Sequence, residues 1–359
     1  MKKIGIMTTG GDCSGLNTVI QRIMRGANLR GWQVWGILDG TDGLSVTPPA
    51  VIQLNDMLLP IENARLAGSF LHNGRVHALN FETAAETGRL KAFNKRLRDS
   101  LKMLNFDALI LIGGNGSLSL AWANRDIYRD LQLICIPKTI DMDIPLTART
   151  IGFDTAVQQL TSYCDQLMMT ARSHHRWFVV QAMGRDCGML ALYAGVAVGA
   201  TAILIPEIKF DVDNLVRHIK DSAIDYGIII VAEGISLRGH SGRPADMIAR
   251  KLTAAGIANR TAFPEHMQRA GDTVASDRIL AARFADCALN AIENGETYVM
   301  TSLDCGDVRT VALSDFVAAG DCAVDPKVPE LLTSNAYVAP DEPLLEVAYN
   351  MGIYIGERK

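Results

Sequence analysis

Leu131-Gln132-Leu133-Ile134-Cys135-Ile136-Pro137-Lys138-Thr139-Ile140-Asp141-Met142-Asp143 is the stretch on which the reading of the chain turns. Its first half, Leu131 to Ile136, is mostly apolar and reads as a buried parallel strand. Pro137 has no N–H to donate, so the ladder is expected to end there. The polar cluster behind it then sits at the carboxyl end of a strand, where open α/β sheets bind ligands. Two carboxylates two residues apart, beside a lysine and a threonine, suit a base for a hydroxyl at Asp141 and a partner for a hydrated metal at Asp143. A solvated loop closed by an Asx-turn is the alternative.

The same grammar recurs upstream. Lys3 to Thr8 reads as a strand that runs into Thr9-Gly10-Gly11-Asp12-Cys13-Ser14-Gly15 and then an amphipathic helix to about Arg30. Strand, glycine turn, helix lets backbone N–H groups approach a phosphate at a helix N-terminus. Ala108 to Ile112 is another apolar strand, ending at Gly113-Gly114-Asn115-Gly116-Ser117, a second phosphate cradle in which Ser117 is expected to cap a helix from Leu118 to about Tyr128. Between them, residues 39–80 read as irregular and hold Gly68-Ser69-Phe70-Leu71-His72-Asn73-Gly74-Arg75. An arginine behind glycines in a long loop can reach a transferring phosphoryl group, or simply be solvated. Phe81 to Asn105 reads as a charged helix.

Downstream, strands and helices keep alternating. Trp177–Ala182 is a strand that delivers Met183-Gly184-Arg185, Gly227–Ala232 one that delivers Glu233-Gly234, and a strand near Ala258–Phe263 leads to His266-Met267-Gln268-Arg269. Such alternation argues a parallel α/β architecture with right-handed crossovers. The 359 residues, 48% hydrophobic and 21% charged, are enough for two domains with cores of their own. A net charge of -4 gives no basic surface for nucleic acid. Seven scattered cysteines without a C-x-x-C pair look like reduced cytosolic thiols. The start of the chain is too soon polar for a signal peptide, and no apolar run is long enough to span a membrane.

Gly10-Gly11-Asp12, Gly113–Ser117, Thr139–Asp143, Met183–Arg185 and His266–Arg269 together resemble the 6-phosphofructokinase family, in order and spacing, over nearly the whole chain. The resemblance implies two parallel-sheet α/β domains with the active site in the cleft between them. They would comprise residues 1–145 with about 270–318, which bind the donor, and 146–269 with about 319–359, which bind the sugar phosphate. It implies phosphoryl transfer from ATP or pyrophosphate to the C1 hydroxyl of fructose 6-phosphate, with Mg2+, in a cytoplasmic homodimer or homotetramer. Asp141 falls on the base for the C1 hydroxyl, Thr139 on its companion, and Arg75 on the arginine that bridges the moving phosphoryl group. Gly11, Gly114, Asn115, Gly116, Ser117 and Lys138 fall on donor contacts. Ile140, Met183, Gly184, Arg185 and Glu233 fall on sugar contacts. Arg176, Arg260, His266 and Arg269 belong with the 6-phosphate, Arg176 and Arg260 being supplied by a neighbouring subunit, and Met267 and Gln268 fall on substrate contacts. Asn115 and, through water, Asp143 fall on the metal.

Several positions depart from the family pattern. Asn115 replaces an acidic magnesium ligand, and a neutral amide oxygen is a weaker donor to a hard cation. Met142 replaces an asparagine. Leu120 and Thr41 replace residues that flank the adenine. Gly116 lacks the aspartate of pyrophosphate users and so favours ATP, whereas Lys138 is the lysine of pyrophosphate users. A non-catalytic sugar-phosphate sensor of the same fold remains open, as does an NAD- or lipid-kinase-like protein. The first gains from Asn115 and Met142 and is opposed by Asp141, Thr139 and Arg75. The second leaves the 6-phosphate set without a purpose.

Overall fold

The apolar runs become strands. The computed structural model describes residues 1–74, 89–235, 242–322 and 343–356. Its strands are β1 (Lys3–Thr8), β2 (Gln33–Ile37), β3 (Val51–Gln53), β4 (Ala108–Gly113), β5 (Gln132–Pro137), β6 (Trp177–Ala182), β7 (Ala202–Leu204), β8 (Gly227–Ala232), β9 (Asn259–Ala262), β10 (Val299–Asp304) and β11 (Asp307–Ala312). The chain divides into two units. The first holds Met1–Thr139, Ile144–Asp154 and Gly271–Asp321; the second holds Ile140–Asp143, Thr155–Ala270 and, as far as it is described, Cys322–Lys359. The opening stretch therefore straddles the division: the chain leaves the first unit after Thr139 and rejoins it at Ile144.

In the first unit the strand order is β11-β10-β5-β4-β1-β2-β3. The inner neighbours pair in parallel, and β3 and β11 are antiparallel edges. Parallel strands are covered on both faces, so they need continuous apolar runs; every residue of β4 is buried. Met7, Leu109, Leu111 and Leu133 pack with Phe93, Leu97 and Leu101 of the helix Arg89–Leu104. From β1 the chain steps outward through β2 and β3, then returns to build β4, β5 and β10 on the other side. The carboxyl ends of β1 and β4 thus flank a topological switch point, the usual ligand position in open α/β sheets.

The second unit carries the parallel sheet β7-β8-β6-β9. Trp177, Val179, Ile229 and Val231 pack with Leu215 and Ile219 of the helix Val212–Lys220 and with Ile248 and Leu252 of the helix Pro244–Ala254. Its order reverses between β6 and β9, which puts the residues after Ala182 and after Ala262 beside a second switch point.

Three local expectations change. Pro137 does not end the ladder, because a proline lacks only the donor. Its carbonyl accepts from Ile151 N at 3.1 Å, and Lys138 N continues the β4 pairing by donating to Gly113 O at 2.9 Å. The helix after β4 starts at Asn115, not Leu118, and runs to Ala123, so Ser117 lies inside its first turn and caps nothing. Residues 39–80 are not wholly irregular: they contain the short helix Thr41–Ser45, strand β3 and a turn at Asn63–Arg65. Of the helix expected from Phe81 to Asn105, the described part is Arg89–Leu104. β11, unforeseen, follows a two-residue turn at Cys305 (φ 48°) and Gly306 (φ 90°), and paired positive φ values are what a tight hairpin of this hand requires.

Gly152 (φ 98°) combines this handedness with close packing, since a Cβ there would lie 2.4 Å from Cys13 Sγ and 2.7 Å from Cys13 Cβ. Gly199 (φ 62°) has the same handedness with open space around it. Gly152→Ala should lower unfolding free energy by about 3 kcal/mol, strain and overpacking together, against about 1 kcal/mol for Gly199→Ala. Urea denaturation of both variants measures the difference; equal costs would contradict the packing described.

Candidate active site

Three strand ends of the first unit converge. At the end of β1, Thr9 N donates to Ile112 O at 3.0 Å, which keeps the Gly10-Gly11 turn against β4. A Cβ on Gly10 would lie 3.4 Å from Ser117 Oγ and 3.6 Å from Lys138 Nζ. A Cβ on Gly114 would lie 3.3 Å from Lys138 O and 3.9 Å from Thr139 Cβ. Gly11, Gly114, Ser117, Lys138 and Thr139 are thereby brought together. Gly116 is exposed, and a Cβ on it would meet nothing within 4 Å.

Lys138 holds this cluster from beneath. Its side chain is 2% exposed, and its ammonium donates to Thr9 O at 3.0 Å and to Gly11 O. A buried ammonium is tolerable only with such partners. The carbonyls it captures belong to the glycine turn, so the turn's backbone is fastened from that side. Beyond Lys138, Thr139 O accepts from Thr150 Oγ1 at 2.7 Å, and Gly152 N donates to the buried Asp277 at 3.0 Å, bracing the returning segment beside β5. Asn115 sits at the start of its helix, and its Oδ1 accepts from Ser119 Oγ at 3.4 Å. Leu120 is 41% exposed on that helix. Arg75 lies outside the described residues; the chain leading to it is tied down, with Thr8 Oγ1 donating to His72 O at 2.6 Å and Phe70 N donating to Asn17 Oδ1 at 2.6 Å.

In the second unit, Ile140 and Asp141 are buried, Asp141 to 6% exposure, and Met142 between the two aspartates has φ 56°. A long apolar residue in the left-handed region is an outlier of the kind that clusters at functional loops. The loop after β6 is held at its start. Met183 N donates to Gln268 Oε1 at 3.0 Å, and Glu233 Oε1 accepts from both Gly184 N at 3.1 Å and Arg185 N at 2.8 Å. Gln268 is buried and its Nε2 donates to Glu265 O, so it positions Met183 rather than presenting its own amide. His266 and Met267 are exposed and Arg269 half-buried on the short turn Glu265–Arg269.

Arg176 and Arg260 are not brought to these residues. Arg176 precedes β6 and Arg260 pairs with Phe178 near its start, whereas Met183, Gly184 and Arg185 follow its end. Six residues of strand separate the two groups, about 20 Å at ~3.3 Å per residue. The two arginines share one face of the sheet, by the period-two alternation around Phe178.

Glu207 is a residue that the sequence reading missed. It follows β7 and accepts from Gly188 N at 2.6 Å, just ahead of the helix Met189–Ala197. Burial pushes its carboxyl up to about 7, against the pull of the Gly188 N–H. Burial, and then the Glu207 carboxylate, also hold the Cys187 thiol well above its ordinary value, so that cysteine is no nucleophile. The available signal was an acid directly after an apolar strand and a proline, Ala202 to Pro206, the arrangement already seen at Pro137.

Fold and site define an α/β protein with glycine turns gathered at one switch point and a braced polar loop at another. The phosphofructokinase family model matches residues 3–292, and the chain belongs to that family. It is 34% identical to ATP-dependent 6-phosphofructokinase 1 of Nostoc sp. over 382 residues, covering 99% of each chain. It is also 34% identical to pyrophosphate–fructose 6-phosphate 1-phosphotransferase of Amycolatopsis mediterranei over 342 residues, covering 88% of this chain and 94% of that one. Among solved structures, phosphofructokinase from Saccharomyces cerevisiae superposes with a TM-score of 0.83 at 26% identity, over 98% of this chain and 50% of the yeast chain.

The raised carboxyl of Glu207 has a consequence for stability. Its pKa is higher folded, about 7, than the ordinary 4.5, so folding favours its protonated form. The penalty is absent below the ordinary value, grows as pH rises between the two, and is complete above the folded one. Glu207→Gln removes it. The variant should therefore gain up to about 3 kcal/mol relative to wild type between pH 4 and pH 8. Paired urea titrations at the two pH values check this; a difference independent of pH would contradict a buried ionisable group.

Proposed function

We propose that the chain transfers a phosphoryl group from ATP to the C1 hydroxyl of fructose 6-phosphate, giving fructose 1,6-bisphosphate in glycolysis. The observation that carries the reading is the convergence of the β1, β4 and β5 ends. It supplies backbone N–H groups at a switch point and continues directly into Thr139 and the buried Asp141. Asp141 takes the C1 hydroxyl proton as the oxygen attacks, with Thr139 beside it, which is worth roughly 10²–10⁴ in rate. Gly11, Gly114, Gly116 and Ser117 cradle the donor's phosphates. Arg75 spreads the charge of the moving phosphoryl group, a role carried by its motif. Ile140, Met183, Gly184 and Arg185 bind the sugar; His266 and Arg269 bind the 6-phosphate, with Met267 a further substrate contact; Glu233 and Gln268 act by fixing the sugar loop.

Among the described residues no group of three His, Cys, Asp or Glu side chains can hold a metal. Magnesium keeps its waters and binds through phosphates with one or two protein oxygens. Asp143, through water, and the Asn115 amide are the donors this chain offers, and the ion supplies neutralisation of phosphate charge when bound. The donor is ATP, because the space beside Gly116 is open. The case for pyrophosphate rests on Lys138, whose buried ammonium is committed to the carbonyls of Thr9 and Gly11. Arg176 and Arg260, a strand's length from Gly184, serve the 6-phosphate of a neighbouring copy in a homodimer or homotetramer in the cytoplasm. Among the described residues no helix is long and apolar enough to cross a membrane.

A coupled assay offering ATP or pyrophosphate with fructose 6-phosphate and magnesium tests the reading. ATP should give the higher kcat/KM; the reverse order would overturn the donor, and no turnover with either would favour a sugar-phosphate sensor. Asp141→Asn keeps the shape and cannot take the proton. It should retain less than about a tenth of kcat while still binding fructose 6-phosphate; greater retention would remove Asp141 from the base's role.

A further inference from the structure

Glu207 stands outside every motif that points to the sugar phosphate, yet it is fastened to the loop those motifs define. The segment from Met183 to Gly188 leaves β6 and enters the helix Met189–Ala197. Its upstream half is fixed by Gln268 and Glu233. In its middle, Cys187 N donates to Gly184 O at 2.9 Å, which closes the turn on itself. Its downstream end is fixed by the bond from Gly188 N to Glu207 Oε1 at 2.6 Å, with Gly188 O accepting from Leu192 N at 2.9 Å. The fit there is close: a Cβ on Gly188 would lie 2.4 Å from Ile205 Cβ and 2.5 Å from Glu207 Oε2. Glu207 Oε2 is itself buried, with no hydrogen-bond partner among the described residues.

A plain helix cap needs none of this. An exposed serine or aspartate satisfies a first-turn N–H at little cost, as Asp211 does for the helix Val212–Lys220 with bonds of 2.7 and 3.1 Å. Burying a carboxyl group is costly, and local rules are broken in this way where function requires a fixed geometry. A carboxylate delivered from β7 also ties the loop to a third strand of the same sheet, after β8 through Glu233 and β9 through Gln268.

We infer that Glu207 is a positioning residue for sugar-phosphate recognition: acting through Gly188, it sets the downstream anchor of the Gly184–Cys187 turn and so the place of Gly184 and Arg185. The inference rests on the functional reading above, in which those two residues contact the sugar.

Steady-state kinetics on the full chain separate this from a structural role. Glu207→Asp keeps the charge and withdraws the acceptor by one methylene; Glu207→Gln keeps the acceptor in place and removes the charge. Glu207→Asp should raise KM for fructose 6-phosphate about tenfold or more, the scale of a misplaced binding group, with KM for the donor unchanged. Glu207→Gln should restore the wild-type KM. The inference is overturned if Glu207→Asp leaves KM for fructose 6-phosphate alone, if both KM values rise together, or if Glu207→Gln is as impaired as Glu207→Asp. Should Glu207→Asp fail to fold, calorimetric titration of fructose 6-phosphate into Glu207→Gln decides, wild-type affinity supporting the inference and lost affinity overturning it. A wild-type protein that neither turns over nor binds fructose 6-phosphate would overturn the functional reading and this inference with it. Normal wild-type behaviour with an unaffected Glu207→Asp would overturn this inference alone.

Discussion

A single buried ammonium organises the first unit. Lys138 leaves the end of β5, and its Nζ reaches the carbonyls of Thr9 and Gly11 in the turn after β1. Glycine turns are conformationally permissive, and a flexible turn binds phosphate poorly because ordering it costs free energy on binding. Fastening two carbonyls of the turn to a cation within the core removes that cost in advance. It also biases the field of the cradle toward anions, since the charge lies beneath a 2% exposed surface where water screens it little. The glycines contribute by what they lack: a Cβ on Gly114 would lie 3.3 Å from Lys138 O, and Gly10 has φ 82°, a backbone that side chains rarely adopt.

The second unit reaches the same end with opposite chemistry. There the elements that hold backbone are acceptors, Glu233, Gln268 and Glu207, and the groups they hold are N–H donors of the loop after β6. In both units polar side chains near the strand ends are spent on backbone geometry, not on ligand. That division explains why residues such as Gln268, which read as contacts in a motif, are buried with their amides engaged. Under the proposed function, short backbone segments and a few side chains, Asp141, Arg185, His266 and Arg269 among them, are left to meet the substrates.

Much of this was legible in the sequence because parallel strands demand continuous apolar runs, and β1, β4, β5, β6 and β8 stand out as such. The residues after them announced themselves as glycines or charges out of place. What escaped were features set by partners distant in sequence. Lys138 read as a charge offered to the donor, because nothing local reveals that the Thr9 and Gly11 carbonyls lie within its reach. Glu207 was silent for the same reason, being 19 residues from Gly188. Edge strand β11 escaped because its Asp307, Arg309 and Thr310 interrupt the apolar run that marks inner strands. Ser117 was misplaced by one turn because a helix can start without a side-chain cap when its first N–H groups are reserved for something else.

The account turns on the claim that Lys138 shapes the donor cradle before any donor arrives. Hydrogen exchange of the donor-free protein tests this directly, read on the segment from Thr9 to Leu16 in wild type and in Lys138→Met, which keeps the side chain's bulk and removes its charge. The prediction is faster exchange by about tenfold or more in that segment, the scale expected when a buried pair of carbonyls loses its partner, with the amides of β6 and β8 unchanged. Exchange in that segment equal to wild type would contradict the claim.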